Sequence, residues 1–231
     1  MQAVILAGGL GTRLWPLTQT VPKPMVPIAG APYLEHQLRL LQQQSITEIV
    51  LLTGYLSEQI EAHFGDGSRF GINIDYSRET TPLGTGGALR QAAPLLQESF
   101  LLIYGDSYLP ILYATVLETL ADSAAVGAVT VYDNRTDDTG VTNNIALDDD
   151  GFVSKYKKDT PDDPSLRYVE AGVLAFQRSV LQRIPAGQVS LEQEIFPQLI
   201  AQRELIGHVT AQRFFDIGTP ERLERIGEQL T

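Results

Sequence analysis

Apolar residues along this chain fall into short runs separated by stretches with helical spacing. Val4-Ile5-Leu6-Ala7, Ile49-Val50-Leu51-Leu52 and Phe100-Leu101-Leu102-Ile103-Tyr104 are continuous apolar runs of strand length, as strands buried on both faces require. Ile72-Asn73-Ile74-Asp75-Tyr76-Ser77 alternates and predicts a further strand. Between these runs, Leu34, Leu38 and Leu41 recur at helical spacing, and residues 57–64 form a second helical pattern stopped by Gly65-Asp66-Gly67. Residues 84–94 and 111–120 predict two more helices, and residues 125–132 another strand. Strand and helix thus succeed one another, which predicts an α/β fold with a mostly parallel sheet and helices on both faces.

The pattern changes after residue 132. Residues 133–140 and 159–164 are polar, acidic or proline-bearing loops. Short strands are predicted over 141–147 and 151–156, joined at Asp148-Asp149-Asp150-Gly151. That acidic run reads as a hairpin turn rather than a calcium loop, because Asp-Gly separates two alternating segments. Residues 168–176 form a long strand pattern. Ser190-Leu191-Glu192-Gln193-Glu194 starts a helix with an N-cap candidate and an acidic first turn, and Gly218-Thr219-Pro220 starts the last helix.

Composition narrows the classes. The chain has 231 residues, of which 43% are hydrophobic and 19% charged, so a globular core is expected and disorder is not. Cysteine is absent, which excludes disulfides and thiolate metal sites. A net charge of −11 argues against a nucleic-acid partner. No basic region precedes a long apolar run, so neither a signal peptide nor a membrane partner is expected, and the cytoplasm is the expected compartment. His36, His63 and His208 share no ligand spacing and read as surface or packing residues.

The candidate chemistry begins at the end of the first strand. Leu6-Ala7-Gly8-Gly9-Leu10-Gly11-Thr12-Arg13-Leu14 lets backbone N–H groups converge on a phosphate, and Arg13 can grip two phosphate oxygens at once. Lys23 stands between Pro22 and Pro24, whose rings hold its ammonium near that loop. Position 14 is Leu, so the dinucleotide fingerprint is not met, and no Gly-Lys-Ser/Thr follows, so this is not a P-loop. Asp106 follows an apolar strand at the sheet edge where α/β ligands bind. Taken alone it is either a carboxylate that holds Mg²⁺ across phosphates or a cap on the next helix. Position 108 is Tyr, so no Asp-x-Asp is formed.

With Pro22-Lys23-Pro24-Met25, the first glycine loop resembles the signature of the sugar-1-phosphate nucleotidyltransferases, and most closely the heptose- and mannose-1-phosphate guanylyltransferases. The resemblance runs over nearly the whole chain. It implies a Rossmann-like three-layer sandwich of the nucleotide-diphospho-sugar transferase kind, with a mixed, mostly parallel sheet and a small inserted β region. It implies one domain over 1–231, with a nucleotide half at 1–132 and a sugar half at 133–231. It implies transfer of a nucleoside monophosphate from a nucleoside triphosphate to a sugar 1-phosphate, with release of pyrophosphate. Leu6, Ala7, Gly8, Gly9, Gly11 and Thr12 would wrap the triphosphate, Arg13 would hold the leaving pyrophosphate, and Lys23 would neutralise charge at the α-phosphate.

The same resemblance assigns the rest of the site. Glu79 matches the base-reading position, with Gly84 at the base or sugar face. A carboxylate accepts from the two adjacent donors of guanine and meets carbonyls on thymine or uracil, so GTP is expected, with uridylyl or thymidylyl transfer as the alternative. Asp216, in Asp216-Ile217-Gly218-Thr219-Pro220, matches a second metal ligand beside Asp106; from residues alone it could equally cap a loop. Lys158, Asn144, Glu170 and Gly172 would hold the sugar phosphate. Three departures fall on that side: Tyr156-Lys157-Lys158 lacks the usual Glu before its Lys, Glu170-Ala171-Gly172 stands for Asn-Ala-Gly, and Asn143-Asn144 replaces a glycine turn. A non-catalytic nucleotide-sugar binding protein would be expected to lose Arg13, Lys23 or an Asp; all are kept.

Overall fold

The computed structural model describes residues 1–230 apart from 136, 159, 161 and 162; those four, in the two polar loops read above, and Thr231 lie outside the described residues. Nine strands form the main sheet: β1 Gln2–Ala7, β2 Glu48–Thr53, β3 Asn73–Arg78, β4 Ser99–Tyr104, β5 Gly127–Asp133, β6 Ile145–Leu147, β7 Val153–Tyr156, β8 Tyr168–Gln177 and β9 Leu205–Thr210. The helices are α1 Tyr33–Gln43, α2 Ser57–Phe64, α3 Gly84–Gln91, α4 Ala114–Ala121, α5 Phe196–Ala201 and α6 Pro220–Leu230. Pairings run β3-β2-β1-β4-β8-β5-β9 across the sheet. β8 lies antiparallel to both β4 and β5, and the other neighbours on this path are parallel. The β6–β7 hairpin is attached to the start of β8 through Ile145 and Tyr168.

Alternation on β1 shows how the layers form. Ala3, Ile5 and Ala7 face one core with Leu34, Leu38 and Leu41 of α1 and with Ile60 and Phe64 of α2. Val4 faces a second core with Ala88 and Leu89 of α3 and with Phe196 and Leu199 of α5. Both faces of the strand are therefore apolar, and its continuous hydrophobic run follows. The three helical positions read from the sequence on α1 are 0 to 1% exposed. Ile217 and Ile226 join Ile28 and Tyr33 in a small third cluster that seats α6.

Three elements differ from the sequence reading. Residues 141–144 are not strand, and the side chain of Asn134 donates to the Val141 carbonyl at 2.7 Å. The stretch from Ser190 opens as a π-helical turn, Leu191–Ile195, before α5. β9 is an edge strand the sequence pattern did not announce. It is short and half-exposed, and Gly207 sits in its middle with Leu147 packed against it. The acidic run 148–151 is the hairpin turn expected: Gly151 N–H donates to Asp148 O at 3.0 Å, between antiparallel β6 and β7. Among the described residues, no helix is long and apolar enough to cross a membrane.

Candidate active site

A cleft of about 1170 Å³ opens where β1, β2 and β4 end, at Leu6, Leu52 and Tyr104. This is the carboxyl edge at which α/β sheets bind ligands. Every residue given above to the nucleotide, from Leu6 to Gly84, lines it. The glycine loop is held from below: Thr18 Oγ1 donates to Gly11 O at 2.8 Å, and Leu14 N–H to the same carbonyl at 2.9 Å. Lys23 opens a short turn after Pro22 and sends its ammonium across the cleft floor to Asp106 Oδ2, 2.5 Å away. The Lys23 side chain is only 12% exposed, so a charge-assisted contact fixes a cation in a largely dry place.

Asp106 and Asp216 meet through backbone. Ser107 and Asp216 are partners in a two-residue antiparallel ladder, and Ile217 N–H donates to Asp106 O at 3.0 Å. Asp216 itself accepts from Gly218 N–H at 2.7 Å and from Arg222 at 3.1 and 3.2 Å, and it stands behind the cleft wall rather than on it. Arg13 packs its guanidinium against Gly218. Asp106, just before one strand of this ladder, and Asp216, in the other, carry oxygen-only donors of the kind a hard divalent cation takes, so their donor chemistry fits such an ion. β8 must pass close behind this ladder. A Cβ at Gly172, whose φ is +76°, would fall 2.2 Å from Ser107 Oγ. Only glycine suits both the backbone and the approach, so Gly172 shapes the floor under Asp106 rather than facing the cleft.

Glu79 lies across the turn that leads into α3. Its Oε2 accepts from Leu83 N–H at 3.0 Å, while Oε1 points toward Gly8 and Gly54 at the cleft wall. Burial pushes its carboxyl above the ordinary range, and the Leu83 N–H partly offsets this. The turn is tied to the far half of the chain: Val189 N–H donates to Leu83 O, and Gly86 N–H to Val189 O, both at 2.8 Å.

The same cleft is also lined by Lys158, Gln188 and Glu192. Behind them runs a chain of hydroxyls and acids. Tyr156 OH donates to Glu170 Oε2 at 2.6 Å, and Tyr104 OH to Glu192 Oε1 at 2.7 Å. Glu192 Oε2 receives hydrogens from Thr85 and Ser190, each at 2.8 Å. Glu170 does not reach the cleft. It is buried, and its Oε1 has no hydrogen-bond partner among the described residues. Asn144 is also spent inside the protein, its Oδ1 accepting from Glu170 N–H at 3.0 Å. The sequence reading of Glu170 and Asn144 as direct sugar contacts is thus corrected by geometry, because both are turned into the β6–β8 junction.

Burial pushes the Glu170 carboxyl above the ordinary value of 4.5, with Lys158 pulling the other way. Burial would raise Glu192 as well, but the Lys158 charge and its hydroxyl donors bring it below the ordinary range. The native state therefore holds the Glu170 proton more tightly than the unfolded chain does. Its stabilising contribution is complete below pH 4.5 and disappears as pH rises through the raised pKa. Glu170→Gln carries no such proton. Its unfolding midpoint, followed from pH 4 to 8, should gain on the wild type as pH rises above the ordinary glutamate value. Parallel profiles would show that burial does not raise the Glu170 pKa above its value in the unfolded chain.

Glu192 and Tyr104 are among the cleft residues that sequence reasoning missed. The signal was present in Ser190-Leu191-Glu192-Gln193-Glu194, but an acidic first helical turn accounts for the same letters. The histidines are used elsewhere: His36 contacts Ile28 O at 2.9 Å, His63 pairs with Glu35 and His208 with Thr119.

A mostly parallel α/β sheet with a glycine loop at its carboxyl edge and cations and carboxylates beside it defines a phosphate-handling nucleotide-binding protein. The chain matches the Nucleotidyl transferase family model over residues 2–231 and belongs to that family. Nucleotidyltransferases of this family generally use divalent metal ions. The mannose-1-phosphate guanylyltransferase of Mycobacterium tuberculosis is 38% identical over 229 residues, covering 97% of this chain and 63% of that protein. A UTP–glucose-1-phosphate uridylyltransferase of Synechocystis is 31% identical over 217 residues, covering 87% of this chain and 55% of its own length. The crystal structure of HddC from Yersinia pseudotuberculosis complexed with GMP-PN superposes with a TM-score of 0.83 at 26% identity, covering 100% of this chain and 99% of that one. The chain thus spans less than two thirds of the length of the curated relatives.

Proposed function

We propose that the protein transfers a guanylyl group from GTP to a sugar 1-phosphate, with mannose and heptose 1-phosphates as the first sugars to try. The observation that carries the reading is the lining of the cleft: glycine loop, Arg13 and the Lys23–Asp106 pair share one cavity with Lys158 and Glu192. The names of the Mycobacterium and Yersinia proteins support the base and the sugar class. A phosphate oxygen of the sugar 1-phosphate forms a bond to the α-phosphorus. The bond from that phosphorus to the β-phosphate oxygen breaks, and pyrophosphate leaves with the electron pair.

No covalent intermediate is needed, because the substrate brings an ionised nucleophile; positioning and charge neutralisation do the rest. Arg13 holds the departing pyrophosphate, Lys23 faces the charge that grows at the α-phosphate, and Lys158 holds the sugar phosphate. Asp106 and Asp216 would hold Mg²⁺, which when bound supplies charge neutralisation at the phosphate oxygens. Residues 1–132 then carry the nucleotide and 133–231 most of the sugar contacts, in one cytoplasmic domain without a nucleic-acid or membrane partner. Pyrophosphate release measured over a grid of nucleoside triphosphates and sugar 1-phosphates tests this reading. Turnover with no pair would overturn it, and turnover confined to UTP or dTTP would replace the base.

Base choice rests on Glu79. Its free oxygen faces the cleft wall, and guanine is the base that offers adjacent donors to a carboxylate. Glu79→Gln should cut the preference for GTP over UTP and dTTP, in kcat/KM, by about 10- to 100-fold, the worth of a hydrogen bond to a charged group. An unchanged preference would hand base selection to backbone groups.

A further inference from the structure

We infer that Glu192 is the specificity-determining acceptor of the sugar half: its carboxylate takes hydroxyl hydrogens from the sugar ring whose phosphate Lys158 holds. This rests on the transferase reading above and names the residue on which sugar choice turns.

Glu192 is not needed to cap its own turn. The turn that opens at Ser190 is capped without it. Ser190 Oγ accepts from Gln193 N–H at 3.2 Å, and Glu194 Oε1 accepts from Ser190 N–H at 2.8 Å. Those two contacts form a complete reciprocal cap. Glu192 instead points inward and lines the cleft, although it is only 9% exposed. Bonds from Thr85, Ser190 and Tyr104 offset part of the desolvation cost of an acid in that position and leave it uncapped toward the cleft.

A carboxylate offers about four lone-pair directions. Thr85 and Ser190 occupy Oε2, and Tyr104 occupies one direction on Oε1. One direction on Oε1 is left, on a residue that forms the cleft wall. The three hydroxyls also fix the carboxylate in place, which is what a selective acceptor requires. Thr85 is itself held, accepting from Leu191 N–H at 2.9 Å, so the α3 start and the Ser190 turn orient Glu192 together.

The ligand must match two features at once: an ammonium at Lys158 and an open carboxylate acceptor beside it. An anion with neutral O–H donors on the same small body satisfies both, and a sugar 1-phosphate has that chemistry. Glu170 sits behind as the second acid. Its Oε1 lacks a donor, and a proton there would face Tyr104, whose own hydroxyl passes its hydrogen on to Glu192.

The test combines Glu192→Gln with monodeoxy analogues of whichever sugar 1-phosphate the wild type turns over best. Gln keeps the shape, and the Thr85 and Ser190 hydroxyls can rotate to accept from its amide. The variant should raise KM for the sugar 1-phosphate about 10- to 100-fold and leave KM for the triphosphate within about twofold. At least one deoxy analogue should lose a similar factor in kcat/KM with the wild type. In the variant that same analogue should show little further loss, since the two deletions remove one interaction. The deoxy series on the wild type stands without any variant: if no single hydroxyl matters by more than about threefold, the assignment fails. It fails too if Glu192→Gln moves both KM values together. A wild type that makes no nucleotide sugar at all would instead overturn the transferase reading beneath it.

Discussion

Lys23→Ala is expected to lower kcat by about 10²- to 10³-fold while changing KM for the triphosphate by less than about fivefold, an effect the size of losing one preorganised donor. The reason lies in how the ammonium is held. It is only 12% exposed and already pinned 2.5 Å from Asp106, so its orientation costs nothing at the moment of reaction. A cation placed in advance acts most on the state with the greatest charge, which is the transition state. Triphosphate binding has other supports in the glycine loop and Arg13. Steady-state kinetics separate the two roles, because a pure KM effect would make Lys23 a uniform binder of ground and transition states alike. Removing the ammonium leaves Asp106 unpaired, but that side chain is 31% exposed and water can reach it, so folding should survive.

The second large effect is expected at Asp106. Asp106→Asn keeps the shape and removes the charge, which takes away the anchor of Lys23 and one of two carboxylates offered to a divalent cation. A fall in kcat of about 10³-fold or more follows from losing both at once. Excess Mg²⁺ should not restore it. The unfolding midpoint should move by no more than about 2–4 °C, as befits a partly exposed pair. Mn²⁺ binding followed by electron paramagnetic resonance gives a readout apart from turnover, and it should weaken in the same variant. Near-normal turnover would remove Asp106 from the site.

Much of the nucleotide side was readable from the chain because local physics governs it. β1, β2 and β4 carry continuous apolar runs, and Gly8, Gly54 and Gly105 follow them at the edge where the cleft opens. The sugar side was harder because it depends on where distant side chains turn. Glu170 and Glu192 are both acids near a strand or helix start, and no spacing reveals that one is sealed inside while the other faces the cleft. The Lys23–Asp106 pair spans 83 positions, a contact that neither residue announces. β9 went unread because an edge strand buries one side only and here carries a glycine at its centre. The Ser190 turn misled for a different reason: a capping box is present, and it concealed a second acid with another task.

The ladder between residues 107–108 and 215–216 has a consequence for synthesis. The ribosome releases the N-terminal half first, and units of structure form as they emerge. Once residue 106 has emerged, the growing chain can bring its glycine loop, Lys23 and Asp106 together, since β1 and β4 are neighbours. It cannot hold Asp216, because the strand that carries it, and the Ile217 N–H that meets Asp106, follow all nine strands of the main sheet in the chain. A nascent chain thus has the floor of its cleft before it has the ladder that closes behind Asp106, and it gains that ladder only when α6 has room to seat Ile226 against Tyr33.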